Sequence, residues 1–402
     1  MPSQSPVHRA GRWLLIAIAA SFALRLAIAA CSWGSSDTIA FARFAWSIDR
    51  IGLLATYRID SELNHPPLAA YWAWLALRLA GHSAYGFAFI FRLPMILADA
   101  GSVWLLSKIS RGKQGPRPLA VAALFAWCPA AILVSAYHGN TDSLYAFLCL
   151  LCVYLLNANR IVLAGVALAA AINIKLIPIL LIVPLLLSLP NRHAAAKFIG
   201  GLLVGIIPFL IPLIGAPASF AHNALAYASR FDLWGINLIL SIGTGDLAGI
   251  PHVVLIYRAL GRCLIVALVL AWAVLARIKI RPSRYDLAAG TFAIFLVFAP
   301  GFGVQYLVIL LPLLFAARPR LATVFGLLAG AFLFAAYATF WDGGFPLSSL
   351  FNRTFPPILA FVGLPAWGTL VYYLASAVIP SAGVWGSRGG RGRKMYSIPA
   401  PD

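Results

Sequence analysis

Trp13–Cys31 reads WLLIAIAASFALRLAIAAC, an apolar run broken only by Ser21 and Arg25. A stretch of about 20 such residues crosses the ~30 Å hydrocarbon layer of a bilayer as a helix. No Ala-x-Ala cleavage site precedes a polar mature region, and Arg25 sits inside the run. It therefore reads as a retained helix rather than a removed signal. Comparable runs recur as far as Pro380. The 402-residue chain is 62% hydrophobic and 10% charged, with mean hydropathy +0.90, where soluble domains carry about 25% charge. The chain reads as an all-α polytopic membrane protein. Its five cysteines give no disulfide framework, and Cys149 and Cys152 read as small packing residues within one apolar helix.

Basic residues punctuate the apolar runs. They cluster at Arg9/Arg12, Lys108–Arg117, Arg160, Arg192/Lys197, Arg277–Arg284, Arg318/Arg320 and Arg388–Lys394. Placing all of these in the cytoplasm satisfies the positive-inside rule and requires an even number of crossings between clusters. That requirement divides Ile161–Pro190 into two short segments with Lys175 at the outer turn. About twelve spans result, near 13–31, 84–107, 118–136, 142–157, 161–174, 176–190, 197–214, 251–276, 286–300, 304–317, 321–340 and 358–380, with both termini cytoplasmic. Eight of the 11 acids then face outward: Asp37, Asp49, Asp60, Glu62, Asp142, Asp232, Asp246 and Asp342. The net charge of +19 reads as a topology signal with attraction to anionic lipid headgroups. No basic face is interleaved with stacking aromatics, so nucleic acid is not an expected partner. Residues 1–317 form the expected membrane module, 318–380 add further helices, and 381–402 read as a basic, disordered cytoplasmic tail.

The first outer loop is unlike a linker. Ile39–Leu54 (IAFARFAWSIDRIGLL) sets Phe41, Phe44, Ala45 and Ile48 on one helical face, which predicts a helix lying in the membrane interface. Pro66-Pro67 then starts a second interfacial helix rich in aromatics.

A span, an acidic residue at the head of the loop, an interfacial helix, a Pro-Pro turn and a second interfacial helix follow in order. This order resembles the first outer loop of the GT-C superfamily of integral membrane glycosyltransferases. Asn64-His65-Pro66-Pro67-Leu68-Ala69-Ala70-Tyr71 is similar to the Pro-Pro-Leu-x-x-Tyr segment of its glucosyl- and mannosyltransferase branches. Trp127-Cys128-Pro129 leading to Tyr137-His138-Gly139-Asn140-Thr141-Asp142, then Ile174-Lys175-Leu176-Ile177-Pro178, resemble two further elements. Ala299-Pro300-Gly301 with Gln305-Tyr306 resembles a later turn of mannosyltransferase-like members. The acidic motif departs from the family in being a single Asp37 without a neighbouring carboxylate, and no His-Glu-Lys element stands near Gln305.

The resemblance implies transfer of a sugar, mannose as the weak preference, from a polyprenyl-phosphate donor to a hydroxyl on a glycolipid, glycan or protein. The short loops and compact length favour a bacterial inner membrane, where the outward active site would be periplasmic, and the only candidate cofactor is a divalent metal such as Mg or Mn. Such chemistry needs a base for the acceptor proton and positive groups for the departing phosphate. Asp37 is the candidate catalytic base. Lys175, beside Asn173 at a helix break, is the leading phosphate ligand, with snorkelling to the interface as its alternative. His65 and His138 are candidate donors to phosphate or sugar oxygens. Asn140 and Asp142 are candidate ligands of sugar hydroxyls, although Asp142 also fits a helix N-cap. Arg230 is a further candidate, with pairing to Asp232 in its loop as its alternative; Gln305 and Tyr306 complete the set of substrate-binding candidates. Asp99 and Arg92, two turns apart in the second span, read as a structural pair. The competing reading is a transporter or flippase of a lipid-linked or small polar solute, which would place functional charges near mid-membrane on paired broken helices.

Overall fold

A computed structural model of the protein describes residues 6–110, 117–226, 233–245, 250–340 and 357–378, and contains no strand among them. In chain order the helices are α1 (Pro6–Cys31), α2 (Ser36–Ile51), α3 (Leu53–Ile59), α4 (Pro67–Leu79), α5 (Ala84–Ile109), α6 (Arg117–Ala126) and α7 (Pro129–Ile132), which runs into a π-helical turn at Leu133–His138. They continue as α8 (Asp142–Asn157), α9 (Ile161–Ile174), α10 (Ile182–Leu187), α11 (Arg192–Gly205), α12 (Ile207–Gly215) and α13 (Pro217–Phe220). The last six are α14 (Ile236–Thr244), α15 (His252–Leu275), α16 (Arg284–Val297), α17 (Leu311–Ala317), α18 (Pro319–Phe340) and α19 (Leu364–Val378).

The protein is an integral membrane protein by its apolar helices. Five helices are long and apolar enough to cross a bilayer, or seven if two bent pairs each count as one span. The pairs bend by 53° between Ala126 and Pro129 and by 52° between Gly205 and Ile207. Four further apolar helices, Asp142–Asn157, Ile161–Ile174, Ile177–Leu187 and Val304–Ala317, are shorter. Each of the twelve expected segments is largely helical, but the count of about twelve crossings is not established by helix length. The break at Lys175 is present: α9 stops at Ile174 and Lys175 takes extended backbone.

The segment between α1 and α5, expected to be the first outer loop, holds three helices rather than two. The apolar face of α2 is buried, as Phe41, Phe44, Ala45 and Ile48 predicted, but it packs on α4 and α5. Phe41 lies 4.6 Å from the Phe91 ring. Asp49 clips the two helices together, its Oδ1 accepting from Trp74 Nε1 at 3.0 Å and Arg78 at 3.1 Å. Trp72 Nε1 in turn donates to the Phe91 carbonyl at 2.9 Å. α2 is thus bound to protein along the face that periodicity assigned to the membrane surface.

The expected Asp99–Arg92 pair does not form. Asp99 Oδ2 instead accepts from Arg25 Nε of α1 at 3.1 Å, with both side chains buried, and Arg25 also donates to the Ala126 carbonyl at 2.7 Å. Arg92 spends its donors on carbonyls of three helical segments: Ala88 at 2.7 Å, Ala29 at 3.0 Å, Ala136 at 2.9 Å, and also Ser32. Cys149 and Cys152 are free and buried, consistent with packing.

α9 and α11 approach closely because their facing positions are small. A Cβ on Gly201 would lie 2.1 Å from the Val162 carbonyl oxygen, and one on Gly165 2.2 Å from that of Phe198. This small-residue crossing is a common way for membrane helices to associate. It positions Asn173, whose Nδ2 donates to the carbonyls of Ala169 and Gly205, each at 3.0 Å. Gly201→Leu should force the helices apart and lower stability by about 1–3 kcal/mol. Thermal unfolding in detergent checks this, with Gly200→Leu, which meets nothing within 4 Å, as the silent control.

Candidate active site

Asp37 enters the site through the N-terminus of α2. Ser35 caps that helix, its Oγ accepting from the Asp37 N–H at 3.2 Å. The same Oγ donates to the His138 carbonyl at 2.6 Å, and Ser35 N–H donates to that carbonyl at 3.2 Å. The start of α2 is therefore tied to the end of the π-helical turn. Gly139 makes the junction feasible. Its φ is +74°, and a Cβ there would stand 1.9 Å from Thr38 Oγ1, so both conformation and space require glycine.

This turn aims two side chains at one carboxylate oxygen. Asp37 Oδ2 lies 3.0 Å from His138 Nε2 and accepts from Asn140 Nδ2 at 2.5 Å. Both contacts fall on Oδ2, which leaves Oδ1 for a ligand; the Asp37 side chain is 32% exposed. Burial raises its proton affinity, but the His138 and Asn140 bonds, helped by Lys175, outweigh that and hold the carboxyl well below the ordinary range. The other face of His138 is also engaged, with Nδ1 3.1 Å from the Tyr337 hydroxyl of α18.

Lys175 and Asp142 form a second centre. At the first turn of α8, Asp142 is fully buried and accepts from Lys175 Nζ at 3.1 and 3.0 Å and from Tyr145 Oη at 2.8 Å. It does not act as an N-cap, since Thr141 holds that position. Nζ also lies 4.7 Å from the Tyr306 ring centroid. An ammonium has three donors, and two are directed to Asp142, so one remains for an incoming oxygen. Snorkelling is not the arrangement here, as the Lys175 side chain is 12% exposed and paired.

His65 neighbours both centres. Burial pushes its imidazole down to about 3, with the Lys175 charge adding to the effect and Asp37 opposing it. Its ring lies tilted against that of Phe41, centroids 4.5 Å apart, and its buried Nδ1 has no protein partner. A neutral imidazole nitrogen left without a protein partner can take part in hydrogen bonding to a ligand.

The structure thus brings together Asp37, His138, Asn140, Asp142, Lys175, His65 and Tyr306. Gln305 is not drawn in by any described hydrogen bond; its amide folds over Gly303. Arg230, Asp232, Asp246 and Asp342 lie outside the described residues, as does the tail. Sequence reading missed Tyr145 and Tyr337. The i, i+3 spacing from Asp142 to Tyr145 was a usable signal, whereas nothing local marked Tyr337. Among the described residues, no three His, Cys, Asp or Glu side chains group as ligands of one ion. The positive charge that the protein itself sets beside the site comes from Lys175.

The sequence profile of Glycosyltransferase family 87 matches residues 64–304, more than half of the chain. A relative, GPI mannosyltransferase 1 of Kluyveromyces lactis, is 27% identical over 186 residues, covering 40% of this chain and 46% of the relative. The alignment thus spans less than half of that relative's length. The profile match takes in His65, His138, Asn140, Asp142 and Lys175; Asp37, Gln305, Tyr306 and Tyr337 fall outside its bounds.

Lys175→Met should strand the buried Asp142 carboxylate and cost about 3–5 kcal/mol, with Asp142→Asn in the same chain restoring most of it. Unfolding of the single and double variants checks this. Asp37 gives a pH signature of definite sign. Its lowered folded value stabilises the fold above the unfolded value near ~3.9 and loses that contribution as pH falls through the folded value. Acid unfolding below about pH 4 should therefore show a component in the wild type that Asp37→Asn lacks.

Proposed function

The chain belongs to glycosyltransferase family 87, and from that premise we propose that it transfers a sugar from a polyprenyl-phosphate donor to a hydroxyl acceptor at the outer face of the membrane. Mannose is the preferred sugar, supported by the name of the Kluyveromyces lactis relative and by the Gln305-Tyr306 turn. The acceptor is a glycolipid, glycan or protein hydroxyl, and the setting is a bacterial inner membrane with the site facing the periplasm.

The observation that carries this reading is the pairing of an ionised carboxylate having one free oxygen with a lysine having one free donor. In the proposed reaction the acceptor oxygen attacks the anomeric carbon while the bond from that carbon to the phosphate oxygen breaks. The bonding electrons leave with the phosphate, and the acceptor proton passes to Asp37 Oδ1. One displacement on the face opposite the phosphate inverts the anomeric centre. Lys175 and His65 meet the phosphate, and Asn140 with His138 holds the carboxylate in its orientation. A carboxylate held this acidic is a weak base. Its leverage comes from position and from negative charge beside the cationic anomeric carbon that develops.

The transporter reading gains no support from the buried charges. Arg25 and Asp99 neutralise each other, and Arg92 is engaged by backbone carbonyls.

Purified protein in lipid, offered radiolabelled polyprenyl-phosphate mannose or glucose with a membrane-lipid extract as acceptor, tests the proposal. Asp37→Asn should keep donor binding and lower transfer on the order of 100-fold or more. Equal turnover by both proteins removes Asp37 from the role of base. Failure of the folded wild type to consume either donor across several acceptors overturns the donor assignment.

A further inference from the structure

At the opposite end of α8 from Asp142 lies a cavity of about 770 Å³ between α10, α15 and α16. Arg284, which lines it, donates to the Leu156 carbonyl and to Asn157 Oδ1 at the last turn of α8. Fifteen residues of helix at 1.5 Å each put this cavity ~22 Å from the Asp142 end. It is therefore remote from the candidate active site, on the other side of the helical layer.

The lining is of two kinds. Three guanidinium groups, Arg277, Arg281 and Arg284, share it with aliphatic walls that include Pro184, Leu187 and Ile278. No acidic residue lines it, and among the described residues none of the three arginines pairs with a carboxylate. Asp286, the acid close by in sequence, is engaged by Arg318 at 3.1 Å. Arg284 is held by backbone and side-chain oxygens, including Ser188 Oγ at 3.4 Å, so it is a preset donor rather than a loose one. Arg277 and Arg281 are exposed. Arg281 sits at φ +48°, where the chain reverses between the π-helical end of α15 and the Ser283-capped start of α16. On the outer rim, Ile278 is 66% and Leu187 38% exposed. Uncompensated cations around a hollow, next to bare aliphatic side chains on a membrane protein, match a molecule that is anionic at one end and apolar at the other.

We propose that this cavity is a binding site for an anionic glycerophospholipid of the bilayer, with its phosphate taken by Arg277 and Arg281 beside the preset Arg284 and its acyl chains lying along Leu187 and Ile278. The site is separate from the one that would hold a sugar donor. It is built by the turn that joins α15 to α16, so occupancy would brace that turn.

Native mass spectrometry of the full chain released from nanodiscs of phosphatidylcholine and phosphatidylglycerol reads the site directly. The wild type should retain phosphatidylglycerol in preference to phosphatidylcholine. R277Q/R281N should weaken that retention roughly fivefold per guanidinium, on the order of 25-fold for the pair. R192Q/K197Q, which removes two cations elsewhere from the same set of basic clusters, should leave it unchanged. A photoactivatable phosphatidylglycerol on the wild type should crosslink within residues 276–287 and 184–188, which keeps the site testable even where a variant folds poorly. Equal retention of the two lipids, crosslinks confined to other segments, or loss with R192Q/K197Q in place of R277Q/R281N would each overturn the proposal. Displacement of the lipid by inorganic phosphate at equal concentration would show a plain anion site, and preferential displacement by polyprenyl phosphate would show a carrier-lipid site; either result would also overturn it.

Discussion

A single buried guanidinium organises the end of the helical layer that carries the candidate site. Arg92 donates to carbonyls at the C-terminal end of α1, within α5 and in the π-helical turn before His138. Helix C-termini leave carbonyls unsatisfied and carry partial negative charge, and in an apolar layer no water serves them. One planar fork satisfying several of these groups therefore fixes the relative position of three segments. Two of them lead directly into the candidate site, as α1 ends just before Ser35 and Asp37 while the turn delivers His138 and Asn140. Without that cation the start of α2 and the Gly139 turn would lose their common anchor.

From that anchor the polar groups divide by solvent access. Asp99 and Asp142 are buried and each meets a cation, Arg25 or Lys175. Asp37 meets His138 and an amide on one oxygen only, and remains partly exposed. In a medium of low dielectric an unpaired charge is costly, so the carboxylates set deepest are matched and the one left open lies at the edge of the layer. The asymmetry between Asp142 and Asp37 follows burial: the first carboxylate is sealed against Lys175, and the second keeps one oxygen open.

Much of this was legible along the chain, because it rests on local chemistry. The apolar runs marked the helices, charge alternation placed the break at Lys175, and the outer segments flagged Asp37, His65, His138, Asn140 and Asp142. What failed were pairings that depend on neighbours distant in sequence. Arg92 and Asp99 share a helical face, yet Arg25 from α1 takes Asp99 and carbonyls take Arg92. The apolar stripe of α2 has the same period whether it meets lipid or protein, so the stripe could not reveal that α4 covers it. The bends beside Pro129 and Pro208 were marked by proline, but neither apolar length nor proline says whether a bent pair of helices makes one crossing or turns back. Membership of Tyr337 in the site comes from a contact across 199 residues, beyond any spacing rule.

That long reach has a consequence for biogenesis. His138 is synthesised early, but the hydroxyl that meets its Nδ1 arrives only after α15 to α18 have entered the membrane. A nascent chain halted after α17 would carry Asp37, His138 and Lys175 while lacking the residue that holds the imidazole from behind. Completion of the site is thus coupled to insertion of nearly the whole polypeptide, and an interrupted translation product would carry an imidazole held on one side only.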